Sequence, residues 1–258
     1  MKKLEALFDA VIVKPIENEE TLYGNIIVPD MGKEKNEFGE VFTSSVLIDE
    51  LFDNLPASSW TNPKLTWLDP CSGKGNFLAL AYIRLMKGLS KKIRDKTKRS
   101  QHILTNMLYM IELSSSNVKT AKQIFGNNTN ISENDFLHES NIWKDDFNNI
   151  EQFDIIFGNP PYNKNGMRGK GRSNPGLSVI WNKFVEKSLT LMKSNGYCLF
   201  FTPNSWTELK SSLSDKILDN QILVFKNFDV VNAYKIFEKK AGSLPLCYYL
   251  IENKEPYM

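Results

Sequence analysis

Trp67-Leu68-Asp69-Pro70-Cys71-Ser72-Gly73-Lys74-Gly75-Asn76-Phe77 reads as a short strand that breaks at a glycine-containing turn and opens directly into a helix. Gly73 and Gly75 carry no Cβ, so the backbone can turn sharply there and let a ligand approach the sheet edge. Such a turn seats a nucleoside cofactor in some proteins and merely joins a strand to a helix in others. The turn by itself does not choose between them.

Outward from this turn the pattern alternates. Helices are expected over 44–55, 76–89, 114–125 and 177–193, and strands over 65–69, 107–112, 153–157 and 196–202. Strands separated by helical stretches imply an α/β fold with a mostly parallel sheet and helices on both faces. The first 36 residues read differently. Ala10-Val11-Ile12-Val13 and Ile26-Ile27-Val28 are β-like runs closed by Pro29-Asp30, which predicts a short β-type extension over 1–36 ahead of one catalytic domain over 37–258.

Composition bounds the possibilities. The chain has 258 residues, 41% of them hydrophobic and 24% charged, enough for one full-sized core. A net charge of +2 means that a nucleic-acid partner would have to meet local clusters of cations. The densest run extends from Lys87 to Arg99; a solvated helix end and loop is its ordinary reading, and phosphate contact the alternative. Cys71, Cys198 and Cys247 are odd in number and far apart, and only His102 and His138 are available, so neither a disulfide framework nor a metal site is expected. The chain shows no secretory leader pattern and no apolar run near the ~20 residues that span a bilayer. The expectation is a cytoplasmic protein without a membrane partner.

Three further segments carry chemistry. Met107-Leu108-Tyr109-Met110-Ile111-Glu112 is a strand ending in a carboxylate, at the edge where open α/β sheets bind ligands, and a carboxylate there can accept from both hydroxyls of a ribose. Glu112 lies about twice as far beyond Asp69 as the ~20 positions of a dinucleotide fingerprint, which argues against a nicotinamide-binding unit. Asn134-Asp135-Phe136 follows the β-like Asn130-Ile131 and offers an acceptor and an aromatic face for an adenine ring, or else forms an ordinary surface loop.

The third segment, Phe153-Asp154-Ile155-Ile156-Phe157-Gly158-Asn159-Pro160-Pro161-Tyr162, is a buried strand ending in an amide, two prolines and an aromatic. Pro160 and Pro161 fix φ and supply carbonyls without N–H donors. An exocyclic amine donates two hydrogens, and the Asn159 side-chain oxygen and the Pro160 carbonyl can accept both. Accepting them draws the nitrogen lone pair out of conjugation and makes it a better nucleophile in the transition state. Tyr162 can stack on the target base, an interaction worth roughly 1–3 kcal/mol against the cost of extruding a base from a duplex. The following loop, Asn163 to Gly176, holds Lys164, Arg168, Lys170 and Arg172 among glycines; phosphate clamping and a solvated loop are equally compatible with it.

In their order along the chain these segments resemble the γ class of amino-group adenine DNA methyltransferases, over about residues 37–253. The segment Phe38-Gly39-Glu40-Val41-Phe42-Thr43-Ser44 corresponds to that family's Phe-Thr-Pro, and Ile180-Trp181-Asn182-Lys183-Phe184 and Gly196 to Asn204 match its continuation. The resemblance implies a Rossmann-like S-adenosylmethionine-dependent methyltransferase acting on adenine in double-stranded DNA with the base flipped out. It assigns Thr43 to the methionine end of the cofactor, Asp69, Gly73 and Gly75 to its cradle, Glu112 to the ribose, and Asp135 with Phe136 to the adenine. Asn159, Pro160, Pro161 and Tyr162 become the catalytic group.

Three departures from that family stand out. Ser44 replaces a proline, Lys74 occupies a position usually held by a small residue, and Gly242 to Tyr249 lacks the phenylalanine that would form a second base-stacking wall. No full target-recognition region is expected before Met258, so specificity is expected to be short, supplied by a separate specificity subunit as partner, or lost by truncation. Leu7 to Pro15 and Gly24 to Asp30 resemble the opening of ten-kilodalton co-chaperonins, whose mobile loop docks on a chaperonin ring. The competing functions are methylation of a protein glutamine or of RNA adenine with the same tetrapeptide, and a non-catalytic chaperonin-binding or DNA-binding subunit.

Overall fold

The computed structural model of the protein describes residues 43, 45–163, 179–208, 212–231 and 245–256. Among them, seven strands form one sheet: β1 (Trp67–Asp69), β2 (Leu108–Glu112), β3 (Asn130–Glu133), β4 (Phe153–Gly158), β5 (Met192–Pro203), β6 (Gln221–Phe228) and β7 (Leu246–Glu252). Their spatial order is β3-β2-β1-β4-β5-β7-β6. The first five run parallel, and β7 is antiparallel to both β5 and β6. The mostly parallel α/β sheet read from the sequence is therefore present. Its antiparallel outer pair was not among the expected elements.

All three residues of β1 are buried, as are Phe153 and Ile155 to Gly158 of β4, because parallel strands are covered on both faces and read as continuous apolar runs. The covering helices are α1 (Ser45–Phe52), α2 (Asn76–Gly88), α3 (Lys96–His102), α4 (Ser115–Phe125), α5 (Trp143–Asp146), α6 (Trp181–Thr190) and α7 (Ser212–Leu218). An aromatic cluster ties α1 and α2 to the sheet. Phe52 meets Phe157 edge-on at 5.4 Å, and Phe77 stacks on Phe157 at 5.9 Å. Ring pairs in these geometries contribute about 0.5–1.5 kcal/mol beyond their buried area.

Several elements differ in extent from expectation. The helix expected over 177–193 is α6, which stops at Thr190 because Met192 already enters β5, with Asn195 in the left-handed region at φ 58°. Within the basic run, Asp95 caps α3 by accepting from Lys98 N at 2.9 Å. Since α2 runs from the carboxyl end of β1 back across the sheet, this run lies at the amino edge. Its cations are exposed apart from Arg99, which is buried and donates to the Ile93 carbonyl at 2.7 Å. The expected β extension over 1–36 lies outside the described residues.

The strand order places the candidate site. From β1 the chain moves outward to β2 and β3, then returns to β4 on the other side of β1. A sheet that reverses direction in this way leaves a crevice at the carboxyl ends of the two strands flanking the switch. Asp69 ends one of those strands and Asn159 follows the other.

Candidate active site

The turn after β1 is held against β2 by two bonds. Ser72 N donates to the Ile111 carbonyl at 3.1 Å, and Gly73 N donates to Glu112 Oε2 at 2.7 Å. The other oxygen of Glu112 accepts from Ser114 N at 2.7 Å. Glu112 is thus oriented by main-chain donors on both oxygens. Gly75 has φ +93°, and a Cβ there would sit 2.6 Å from the Phe125 ring, so only glycine fits. At Gly73 a Cβ would meet nothing within 4 Å among the described residues. The first N–H groups of α2 follow this turn without a side-chain cap.

Asp69 is buried beneath the turn, 1% exposed, and accepts from Cys71 N at 3.1 Å. Burial, reinforced by the nearby Glu112, pushes its carboxyl up to about 8. Burial and the same two carboxyls also push the Cys71 thiol well above its ordinary value. Close packing extends to β4, where a Cβ on Gly158 would approach Asp69 Oδ1 to 3.0 Å.

Asn159 follows β4 at this junction. Its Nδ2 donates to Thr43 Oγ1 at 2.9 Å, across 116 positions of sequence. With Nδ2 engaged by the buried Thr43, Oδ1 is the acceptor end of the same amide. Thr43 therefore supports the amide directly, beyond the methionine-end role implied by resemblance. Tyr162 is enclosed, 5% exposed, with the Asn159 amide beside its hydroxyl, and burial raises its phenol far above the usual value. Stacking on a base calls for a rearrangement of what covers this ring.

The sequence-expected residues come together unevenly. Asp69, Gly73, Gly75, Glu112, Asn159 and Thr43 meet at the switch point. Asp135 lies at the end of β3 on the same edge, exposed, with Oδ1 accepting from Leu137 N at 2.8 Å. The Phe136 ring, by contrast, does not offer a face for adenine. It is 2% exposed, stacked on Phe184 at 5.4 Å and beside Trp143, because its apolar surface is better buried in the core. Lys164, Arg168, Lys170 and Arg172 lie outside the described residues.

Two residues of the site escaped the sequence reading. Leu113, directly after Glu112, is 55% exposed at the same edge, where an apolar side chain can cover a ring. Its signal was an apolar residue immediately past the strand's terminal carboxylate. Ser72 Oγ is buried without a hydrogen-bond partner among the described residues and belongs to the turn itself, a polar atom left for a ligand to satisfy. No group of metal-ligating side chains occurs among the described residues, and no helix among them is long and apolar enough to cross a membrane.

Residues 78–237 match the family model of the Eco57I restriction-modification methylase. The chain belongs to that family. A protein of Mycoplasma pneumoniae (strain ATCC 29342 / M129 / Subtype 1) named as an uncharacterized adenine-specific methylase is 27% identical over 290 aligned positions, covering 84% of this chain and 67% of that protein. The type II methyltransferase M.VspI of Vibrio sp. (strain 343) is 27% identical over 202 positions, covering 75% of this chain and 44% of the relative. Among solved structures, the EcoKI M protein of a type I restriction enzyme superposes with a TM-score of 0.58 at 14% identity, over 83% of this chain and 44% of that one. A Listeria monocytogenes protein classed with the class I S-adenosylmethionine-dependent methyltransferases does so with a TM-score of 0.54 at 14% identity, over 88% and 65%. The fold is that of these methyltransferases, and the resemblance read from the motif order is borne out at the level of the family. The chain spans less than half the length of M.VspI and of the EcoKI M protein.

Proposed function

We propose that the chain binds S-adenosylmethionine along the carboxyl ends of β1, β2 and β3 and methylates the exocyclic amino group of adenine in double-stranded DNA. The observation that carries the proposal is the Asn159 amide, held by buried Thr43 at the mouth of the β1/β4 switch point beside the glycine turn. The residues present fit the cofactor. Among the described residues nothing crowds Gly73 and the Ser72 hydroxyl has no hydrogen-bond partner, and with the pre-oriented Glu112 these suit a ligand with ribose hydroxyls and a charged amino-acid end.

When bound, S-adenosylmethionine supplies the electrophilic methyl group. Glu112 would hold the ribose, Asp135 would accept from the adenine amine, and Leu113 would offer an apolar contact to the ring. Asn159 Oδ1 and the Pro160 carbonyl would accept hydrogen bonds from the two N–H groups of the target amine and orient its lone pair towards the methyl donor, and the proton that the amine loses on methylation would pass to solvent. Tyr162 lines the base side of the site. The family names of the relatives support DNA as substrate, and the likeness to a type I M protein supports a separate specificity subunit. Such an enzyme works in the cytoplasm, where its DNA lies. The co-chaperonin-like segment falls outside the described residues and enters no step.

A radiolabelled-methyl transfer assay offered DNA, RNA and a glutamine-bearing protein tests the proposal. Label is expected in DNA as N6-methyladenine, and Asn159→Ala is expected to lower the rate at least about hundredfold while cofactor affinity stays within about threefold. Label in protein or RNA instead of DNA, or an Asn159→Ala variant with undiminished activity, would refute it.

A further inference from the structure

Lys187 lies outside every motif read from the sequence, yet it touches the turn that presents Asp135. From the last turn of α6 its Nζ donates to the His138 carbonyl at 2.9 Å and sits 5.1 Å from the centroid of the Phe136 ring. Three residues earlier on the same face of the helix, Phe184 stacks on the other element of this contact, the Phe136 ring. The turn closes on itself through His138 N to the Asp135 carbonyl at 3.1 Å and Leu137 N to Asp135 Oδ1 at 2.8 Å. A tether on the His138 carbonyl therefore fixes the whole turn, and with it the direction of the exposed Asp135 carboxylate.

The same helix reaches the catalytic segment. Just ahead of α6, Ile180 N donates to the Tyr162 carbonyl at 3.2 Å, and Asn163 bridges Val179. One rigid element thus touches both the end of the Asn159–Tyr162 segment and the Asp135 turn. Lys187 is half-buried, and burial holds its ammonium below the ordinary lysine value. A lysine placed this way incurs a desolvation cost that a purely solvated surface cation avoids.

We infer that Lys187 is a positioning residue for the adenine end of the cofactor site, acting through Asp135, and that α6 sets that end and the Tyr162 segment in one register. The inference rests on the proposed cofactor reading. It goes beyond that reading by assigning discrimination for the adenine amine to a lysine that need not touch the ligand.

Calorimetric titration with S-adenosylhomocysteine and with S-inosylhomocysteine, which presents a carbonyl where adenine has its amine, separates the roles. The wild-type chain is expected to prefer the adenosyl ligand by at least about tenfold, since a site built to accept from an amine rejects an analogue lacking it. Lys187→Met keeps the apolar stem over Phe136 but loses the tether. It is expected to weaken the adenosyl ligand about tenfold and to bring the preference to within about threefold of unity, whereas Lys187→Arg retains it. Lys187→Gln gives the same readout should the methionine variant fold poorly. Equal weakening of both ligands with the preference intact would overturn the inference alone, leaving Lys187 a structural residue. Failure of the wild-type chain to bind either ligand would overturn the cofactor reading and the inference with it.

Discussion

Asp69→Asn should make the ligand-free protein more stable at neutral pH, and the gain should grow with pH in a defined window. Asp69 is 1% exposed, and its carboxyl is pushed from 3.8 to about 8 by burial. A folded-state value above the unfolded one means that the native chain binds the proton more tightly. The stability this provides is complete below pH 4 and is lost progressively as pH rises to about 8. At about 1.36 kcal/mol per unit, a shift of this size corresponds to a ceiling of about 6 kcal/mol, a large part of the 5–15 kcal/mol typical of a domain. Asparagine keeps an oxygen for the Cys71 N–H and never ionises.

Urea unfolding of both chains from pH 5 to pH 8 measures this. Groups remote from Asp69 contribute alike in the two chains and cancel in the difference, and Cys71, whose thiol is pushed well above its ordinary value, stays protonated across this window. The variant's advantage is expected to widen by at least about 2 kcal/mol across the window and to level off above pH 8. Two curves that stay parallel from pH 5 to pH 8 would show that Asp69 is ionised in the native turn and that its burial does not perturb it. In the wild-type chain, S-adenosylmethionine should bind more tightly as pH rises towards 8, because a cationic ligand beside Asp69 favours the carboxylate.

Two further outcomes follow from the geometry of the turn and of the amide. Thr43→Val preserves shape but removes the oxygen that accepts from Asn159 Nδ2; single-turnover methyl transfer should slow by about tenfold while calorimetric cofactor affinity changes less than threefold, and Thr43→Ser should recover most of the rate. Gly75→Ala forces a Cβ to within 2.6 Å of Phe125 at φ +93°, so thermal or urea unfolding should report a loss of about 1–3 kcal/mol, partly relieved by Phe125→Leu.

Much of this molecule is legible locally. Trp67 to Phe77 declares a strand, a turn and a helix within eleven residues, and the same is true of the strand that leads into Asn159. Both readings rest on short-range rules, the apolar run, the glycines and the prolines, which hold wherever the chain places them. The β6/β7 pair was harder to see. β6 is only partly buried along its length and β7 enters the sheet between β5 and β6, so neither its place nor its direction follows from neighbouring residues. Phe136 shows the opposite failure: an aromatic beside an acid reads as a ligand platform, but the core claims its ring.

The sequence by itself determined the α/β alternation, the glycine turn, the terminal carboxylate of Glu112 and the amide-proline tetrapeptide, because each is encoded within a few residues. Only the tertiary structure decided that Thr43 orients Asn159, that Asp69 loses enough water to hold its proton near neutrality, and that Lys187 tethers the Asp135 turn. Those features depend on distances and burial between residues far apart in the chain, quantities that exist only once the sheet has closed.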